Sequence, residues 1–164
     1  MKKESLRGLR GYVFRFGNVV GPRQTHGVGY DFIHRLSSEP GHLRVLGDGR
    51  QSKSYIHVAD VVEAVLMAAA RTSAPVATYN VATGDYMTVG EIASMALEVM
   101  GLDPEGTQLE FTESDRGWKG DVPVVRLSTE RLRALGWTNA RSTRLAMRAA
   151  LESIMEDANS GRPT

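Results

Sequence analysis

Residues 11–24 constrain the fold of this chain more than any other stretch, and they read Gly-Tyr-Val-Phe-Arg-Phe-Gly-Asn-Val-Val-Gly-Pro-Arg-Gln. From residue 12 to residue 20 the run is mostly aromatic or β-branched, which is typical of a strand covered on both faces in a parallel sheet. Gly21-Pro22 then requires a turn, and parallel sheets bind ligands at the carboxyl ends of their strands. Asn18 is therefore the first candidate binding residue, with a turn-forming role before Gly-Pro as the alternative.

The composition is that of an ordinary globular domain and excludes several classes of partner. The 164 residues suit a single domain. Its 20 basic and 19 acidic residues are interspersed, so nothing favours nucleic acid or an acidic membrane as a partner. No apolar run approaches the roughly 20 residues that cross a bilayer. The chain has no cysteine and its four histidines lack metal-ligand spacing, so we expect a cytoplasmic protein with no metal site.

Two local signals predict the elements that follow the first strand. Residues 43–46 and 52–58 predict a β-hairpin, because glycines flank Asp48 in Gly47-Asp48-Gly49 and supply the positive φ of a tight turn. Asp60 begins an apolar helical pattern that continues to residue 71, and its carboxylate is placed to cap the free amides of that helix.

Two further signals complete the outline of the fold. Thr88-Val-Gly-Glu91 is a capping box, and the helix that it opens is predicted to stop at Gly101. Residues 77–82 predict a second buried strand. This strand and residues 12–20 lie far apart in sequence and have few candidate partners, although an interior parallel strand needs neighbours on both edges. We infer that most of their sheet is supplied from outside this chain.

Four segments in a fixed order carry a family resemblance: Arg15-Phe-Gly-Asn-Val-Val-Gly-Pro-Arg23, Gly47-Asp-Gly-Arg-Gln-Ser-Lys-Ser-Tyr-Ile-His-Val-Ala-Asp60, Tyr79-Asn-Val-Ala-Thr-Gly84, and Gly120-Asp-Val-Pro followed by Leu135-Gly-Trp137. Together they resemble the second half of an extended short-chain dehydrogenase/reductase, of the type that includes nucleotide-sugar epimerases and dehydratases. The resemblance implies an α/β fold, the C-terminal part of a Rossmann-like enzyme, with two parallel-sheet strands and a small α/β substrate-binding subdomain. Residues 1–164 would form one substrate-binding region.

The family's glycine-rich dinucleotide loop and its catalytic Tyr-x-x-x-Lys pair are both absent from the sequence. No G-x-G-x-x-G occurs, and no Tyr is followed four positions later by Lys. The resemblance therefore implies that this chain has no catalytic residue and is inactive alone, with a separate N-terminal dinucleotide-binding half as its partner. NAD or NADP would serve the complete enzyme and would not bind tightly to this chain alone.

The resemblance assigns roles to residues in the first two segments. Asn18 matches the Asn whose amide contacts the substrate diphosphate, and Gly17 falls where the family backbone passes close to the nicotinamide. Lys53 occupies the position of an Arg that binds the diphosphate in many relatives. The flexible Lys ammonium is a point charge, whereas the planar Arg guanidinium binds two oxygens at once. A solvated Lys on an exposed hairpin is the alternative. Tyr55 matches an aromatic residue beside the substrate, against ordinary packing as the alternative.

The third site is less well aligned. Relatives carry Arg-x-Gly-Asp where this chain reads Asp115-Arg-Gly-Trp-Lys-Gly-Asp121. Strict register puts Trp118 on the Arg position, whereas a small insertion restores Arg116, and Lys119 is a second source of the charge. Arg116 is the first choice for the nucleotide contact. Asp121 is placed to accept a hydrogen bond from a ribose hydroxyl, or else to form a turn.

Two functions remain as hypotheses. The first is the nucleotide-sugar-binding part of an NAD(P)-dependent NDP-sugar epimerase or dehydratase, similar to UDP-glucose 4-epimerase, with a UDP-sugar as the first expectation for the ligand. The second is a non-catalytic nucleotide-sugar-binding or interaction module. The sequence leaves open the base, the sugar, the choice between epimerase and dehydratase, and the oligomeric state.

Overall fold

The structure, a computed structural model, describes residues 9–112 and 126–160. Within these ranges short strands and helices follow one another as an α/β fold, as expected. In chain order they are β1 Gly11–Phe16, β2 Asn18–Val20, α1 Val28–Ser38, β3 His42–Val45, β4 Ser52–Lys53, β5 Tyr55–His57, α2 Val58–Arg71, β6 Val76–Val81, β7 Met87–Thr88, α3 Val89–Met100, β8 Gln108–Phe111, α4 Glu130–Arg133 and α5 Thr143–Asn159.

The two apolar strands predicted from the sequence lie side by side. β1 and β6 pair in parallel, from Gly11 opposite Val76 to Phe16 opposite Val81. The predicted first strand is divided at Gly17, because the chain leaves β6 there and continues as β2 beside β5. The described residues do not cover both faces of β1, since Val13 is 52% exposed and Phe16 is 45% exposed. The expectation of a fully covered strand is therefore not met by these residues.

The predicted hairpin around Gly47-Asp48-Gly49 is wrong. β3 pairs in parallel with β8, and β4 pairs antiparallel with β7, so the two predicted hairpin strands have different partners. Both glycines have positive φ, 87° and 77°, as the turn signal required. The space inside the turn is taken by the buried Gln51 side chain, whose Nε2 donates to the Leu46 carbonyl at 3.3 Å. The turn therefore directs the chain away from β3 and does not fold it back.

The predicted helix cap at Asp60 is also wrong. Helix α2 begins at Val58, directly after β5, and its N-cap is His57, whose Nδ1 accepts a hydrogen bond from the Ala59 amide at 3.2 Å. Asp60 lies within the first turn and is only 2% exposed. Its Oδ1 accepts from the Ala140 amide at 3.1 Å and lies 3.7 Å from the Arg141 guanidinium. Asp60 thus joins α2 to the segment before α5.

The capping box of α3 is confirmed. The Glu91 amide donates to the Thr88 hydroxyl at 3.2 Å, and the Thr88 amide donates to the Glu91 carboxylate at 2.7 Å. Gly101 ends the helix in the left-handed conformation, with φ of 66°. This element depends on residues within a few positions of one another, which is why the sequence alone located it.

Two apolar clusters hold the described elements together. The larger one lies where α1, α3 and α5 pack on one another and on β3. The smaller one lies between α2 and β6 and contains the fully buried Trp137. Among the described helices, none is both long and apolar enough to cross a membrane. The larger cluster supports the cavity described next.

Candidate functional site

A cavity of about 630 Å³ opens beside the point where β1 passes into β2. Its walls come from β2, from α1, from β3 and from residues 53 and 55, and Met147 of α5 reaches it as well. Small-molecule sites commonly measure roughly 300–1,000 Å³. The cavity is therefore of a suitable size for a ligand such as a nucleotide.

The structure brings together the residues that the sequence assigned to the first two segments. Gly17, Asn18, Lys53 and Tyr55 all line this cavity. Asn18 and Tyr55 are opposite each other in the parallel ladder of β2 and β5, although they lie far apart in sequence. Arg116 and Asp121, together with Trp118 and Lys119, fall outside the described residues.

Asn18 is the first residue of β2, so its alternative reading as a turn residue is wrong. Its backbone amide donates to the Ser54 carbonyl at 3.0 Å, and its side-chain Nδ2 reaches the same oxygen at 3.4 Å. The residue is exposed at the cavity wall. Asn18 is thus attached to the segment that carries the other two candidates.

Gly17 lies in a tightly packed position of this chain. A Cβ added at Gly17 would lie 3.3 Å from the Ser54 carbonyl oxygen and 3.5 Å from the Ala82 Cβ. Its amide donates to the Val81 carbonyl at 2.9 Å. The glycine therefore avoids a tight contact with the Ser54 carbonyl, which gives it a packing role in this chain. Its contact with a nicotinamide stays a prediction.

Lys53 and Tyr55 reach the cavity from either side of Ser54. Successive side chains of an extended segment point to opposite faces, so residues 53 and 55 share a face while Ser54 points the other way. Lys53 is half-buried and pairs with Met87 across β4 and β7, which differs from the exposed hairpin Lys of the alternative reading. Tyr55 is buried. Both side chains are therefore held at the cavity wall by regular structure.

Two arginines that were not predicted from the sequence also line the cavity. Arg35 of α1 donates from Nη1 to the Arg44 carbonyl at 3.0 Å, and the Arg44 guanidinium lies 4.0 Å from Glu110 on β8. Asp31, one turn before Arg35 on α1, also lines the cavity. The i, i+4 spacing of Asp31 and Arg35 was a visible signal that they share a helix face.

The charge of the cavity wall is positive in the part of the chain that the structure describes. Lys53, Arg35 and Arg44 line the cavity with Asp31, and even with Glu110 beside Arg44 the three cations outnumber the two carboxylates. A concave wall of one sign concentrates ligands of the opposite sign. In residues 9–112 and 126–160, no group of three or more His, Cys, Asp or Glu side chains is arranged to hold a metal ion. The cavity is therefore suited to an anionic organic ligand.

Asp85 anchors the start of α5 close to this site. Both of its carboxylate oxygens accept from the Thr143 amide at 3.1 Å. Burial acts to raise the pKa of Asp85, but hydrogen bonds from Thr83 and Thr143 outweigh it and hold the pKa below its ordinary value. The ionised carboxylate therefore fixes the N-terminus of the helix that carries Met147 to the cavity.

A family model and the curated relatives indicate the same family of proteins. Residues 3–82 match the model of the NAD dependent epimerase/dehydratase family. A curated relative, the dTDP-6-deoxy-L-talose 4-dehydrogenase (NAD(P)(+)) of Kitasatospora kifunensis, is 31% identical over 152 residues, which cover 85% of this chain and 45% of the relative.

Solved structures are similar over nearly the whole chain. A UDP-galactose 4-epimerase is 34% identical with a TM-score of 0.79, over 93% of this chain and 48% of that protein. The UDP-glucose 4-epimerase of Thermotoga maritima, solved with UDP-glucose, is 28% identical with a TM-score of 0.74, over 90% of this chain and 46% of that protein. The chain spans about half the length of the relatives that it matches.

Proposed function

The chain belongs to the NAD-dependent epimerase/dehydratase family, and from that premise we propose that its cavity binds the nucleoside diphosphate part of a sugar nucleotide. One observation carries the proposal. Asn18, Lys53 and Tyr55, which the family resemblance assigns to the substrate, come from separate strands and line one cavity. A sugar nucleotide with a uracil base is the first choice, because relatives named as UDP-sugar epimerases share the fold at 28% and 34% identity.

The chemistry of the cavity wall supports a diphosphate as the group that is bound. The Lys53 ammonium neutralises phosphate oxygens as a point charge, and the Asn18 carboxamide hydrogen-bonds to them. Arg35 and Arg44 line the same cavity and add positive charge. Ionised acceptors form shorter and stronger hydrogen bonds with such donors than neutral ones do. A diphosphate therefore satisfies more of this wall than a neutral sugar does.

We further propose that the chain acts as the sugar-nucleotide side of an NAD(P)-dependent NDP-sugar epimerase or dehydratase. When bound, the nicotinamide cofactor supplies the hydride chemistry. The residues of this chain bind the nucleotide and orient the sugar. The glycine-rich loop and the Tyr-x-x-x-Lys pair come from a dinucleotide-binding half, because neither occurs in this sequence.

An apolar surface that is exposed in the described part of the chain supports the need for that second half. Val58, Val62 and Leu66 follow one another at intervals of four along α2, and all three side chains are exposed. Val13 of β1, which α2 contacts, is exposed as well. Apolar surface of this kind marks a site where another part of a protein packs. In the alternative function, a stand-alone binding module leaves this surface without a role, whereas an interaction module would also use it.

Calorimetric titration of the full chain with UDP, dTDP, GDP and their glucose or mannose conjugates tests the binding proposal. We expect one of these nucleotides to bind, and Lys53→Gln to weaken that binding about tenfold, because the variant removes a charge from the cavity wall. Arg10→Gln is the matched control, since it removes an exposed positive charge from outside the cavity lining. Equal losses in the two variants, or no binding to any nucleotide, would contradict the proposal.

A further inference from the structure

Three buried hydroxyl groups meet behind the cavity wall, and each comes from a different part of the chain. Ser54 lies between β4 and β5, Thr83 follows β6, and Thr143 is the first residue of α5. The Ser54 and Thr83 hydroxyl oxygens are 2.8 Å apart, and those of Thr83 and Thr143 are 2.7 Å apart. All three residues are buried. We call these three residues the hydroxyl cluster.

Thr143 holds the backbone of a cavity residue from both sides. The Tyr55 amide donates to Thr143 Oγ1 at 3.2 Å, and the same hydroxyl lies 3.2 Å from the Tyr55 carbonyl and 3.0 Å from the Asp85 carbonyl. A hydroxyl donates one proton and accepts at two lone pairs. The Tyr55 amide fills one acceptor position of this hydroxyl. The Thr143 proton has three acceptors within reach, the Tyr55 carbonyl, the Asp85 carbonyl and the Thr83 hydroxyl, and either of the two hydroxyls can donate in the bond between them.

The hydroxyl cluster lies directly behind the residues that line the cavity. Ser54 carries the cluster on one face of its segment, and its neighbours Lys53 and Tyr55 line the cavity. The Ser54 carbonyl accepts both hydrogen bonds from Asn18. Every described residue that was predicted to contact the substrate is therefore bonded to this segment or belongs to it.

We propose that Thr143 is a positioning residue for the ligand cavity: by bonding the Tyr55 backbone, the N-terminus of α5 sets where Lys53 and Tyr55 meet the bound nucleotide. The inference rests on the proposed function, because it takes this cavity to be the nucleotide site. Thr143 lies far in sequence from the predicted residues of the cavity wall. None of the four segments that carry the family resemblance contains it.

Replacing Thr143 by Val or Ser separates the hydroxyl from the shape of the side chain. Thr143→Val keeps the volume and removes the hydroxyl, which leaves the Tyr55 amide without an acceptor. Whichever of UDP, dTDP or GDP the parent chain binds is expected to bind this variant roughly tenfold more weakly. Thr143→Ser keeps the hydroxyl and is expected to bind within about twofold of the parent.

Thr107→Val is the matched control for a general loss of stability. Thr107 is also buried, and its hydroxyl donates to the Pro40 carbonyl at 3.0 Å, but it does not line the cavity. Its variant should melt at a lower temperature and keep the parent's affinity. Amide hydrogen exchange provides a local readout: the Tyr55 amide should exchange faster in Thr143→Val than in Thr143→Ser.

The outcomes separate this inference from the proposed function. Unchanged affinity in Thr143→Val, or an equal loss in Thr107→Val, overturns the inference. If the parent binds none of the nucleotides, the proposed function fails, and Tyr55 amide exchange then decides whether Thr143 positions this segment. Unchanged protection in Thr143→Val would overturn it in that case too. If Thr143→Val does not fold, Thr143→Ala removes the same hydroxyl without placing a methyl group against the Tyr55 amide, and the same affinity and exchange results apply.

Discussion

At the scale of single residues, His57 joins β5 to α2 through a ring that has to stay neutral. Its Nδ1 accepts from the Ala59 amide at 3.2 Å, and a protonated ring has no acceptor to offer there. Burial lowers the pKa of His57, and the nearby Arg141 lowers it further, whereas the carboxylate of Asp60 acts to raise it. The folded chain therefore resists protonation of this cap.

The low pKa of His57 predicts a loss of stability in mild acid. The unfolded chain protonates this histidine near its ordinary pKa of about 6.5, while the folded chain does so only at lower pH. Between the two values the unfolded state binds more protons, so the free energy of unfolding falls as the pH drops below about 6.5. Urea denaturation from pH 8 to pH 5 measures this slope. His57→Asn keeps a capping side chain that does not titrate, and it should show a shallower slope than the parent. An equal slope would contradict the role given to His57.

Asp60 shows why a residue type in a promising pattern can be assigned the wrong partner. An Asp before an apolar helical run is a common cap, but β5 enters α2 directly, which moves the cap to His57. The carboxylate is left to bond the Ala140 amide, a contact with a residue 80 positions away. No local pattern reports such a contact.

Asp60→Ala is expected to destabilise the chain by about 2 kcal/mol, because it removes the buried carboxylate that accepts from the Ala140 amide. Asp60→Asn retains an oxygen that accepts from the Ala140 amide, and it should lose less. Urea denaturation at pH 7 compares the two variants. The exposed Arg141 contributes little to this difference, since water screens its charge. If Asn destabilised the chain as much as Ala, the ion pair and not the hydrogen bond would be the dominant contact.

At the scale of elements, those with local signals were predictable and those with distant partners were not. The Thr88 capping box and the Gly101 stop define α3 within a few residues of each end. The hairpin failed because sequence proximity favours pairing of neighbouring strands, whereas β3 takes β8 as its partner. The positive φ at Gly47 and Gly49 was correctly expected. A turn signal therefore fixes the backbone of the turn without fixing the strands that follow it.

The capping box provides a test at the same scale. Thr88→Ala removes the hydroxyl that accepts from the Glu91 amide, and we expect a loss of about 1 kcal/mol in the free energy of unfolding. Thr88→Ser keeps that acceptor and should lie close to the parent. Urea denaturation of the three chains checks the order. A Ser variant as unstable as the Ala variant would assign the effect to the lost methyl group.

At the scale of the whole molecule, the cavity was only partly predictable. The family resemblance located Asn18, Lys53 and Tyr55, and the structure brings them together. Arg35 and Arg44 escaped notice because they reach the cavity only through the packing of α1 and β3. Thr143 was not predicted for the same reason, since its partner Tyr55 lies 88 positions earlier in the sequence. Contacts between elements that are far apart in sequence determine which of these residues reach the site. A single sequence does not show such contacts.

The last prediction concerns assembly with a dinucleotide-binding half, and it follows from the exposed apolar surface of α2. Leu66 is 65% exposed, so Leu66→Glu should leave the melting temperature of this chain nearly unchanged. A carboxylate in a buried apolar contact is costly, so the same variant should lose at least tenfold of any activity gained on mixing with a partner half. The assay mixes this chain with the N-terminal half of a related UDP-glucose 4-epimerase, NAD and UDP-galactose, and follows UDP-glucose.

Leu145→Glu is the matched control, because Leu145 is also an exposed leucine, at 56%, and belongs to α5 and not to α2. Its variant should keep the activity of the parent mixture. Activity that survives in Leu66→Glu would show that the partner half packs elsewhere. A mixture with no activity, under conditions where the chain still binds the nucleotide, would contradict the enzymatic part of the proposed function and leave the binding part standing. The two proposals can therefore fail separately, since one depends on the cavity wall and the other on the uncovered face of α2.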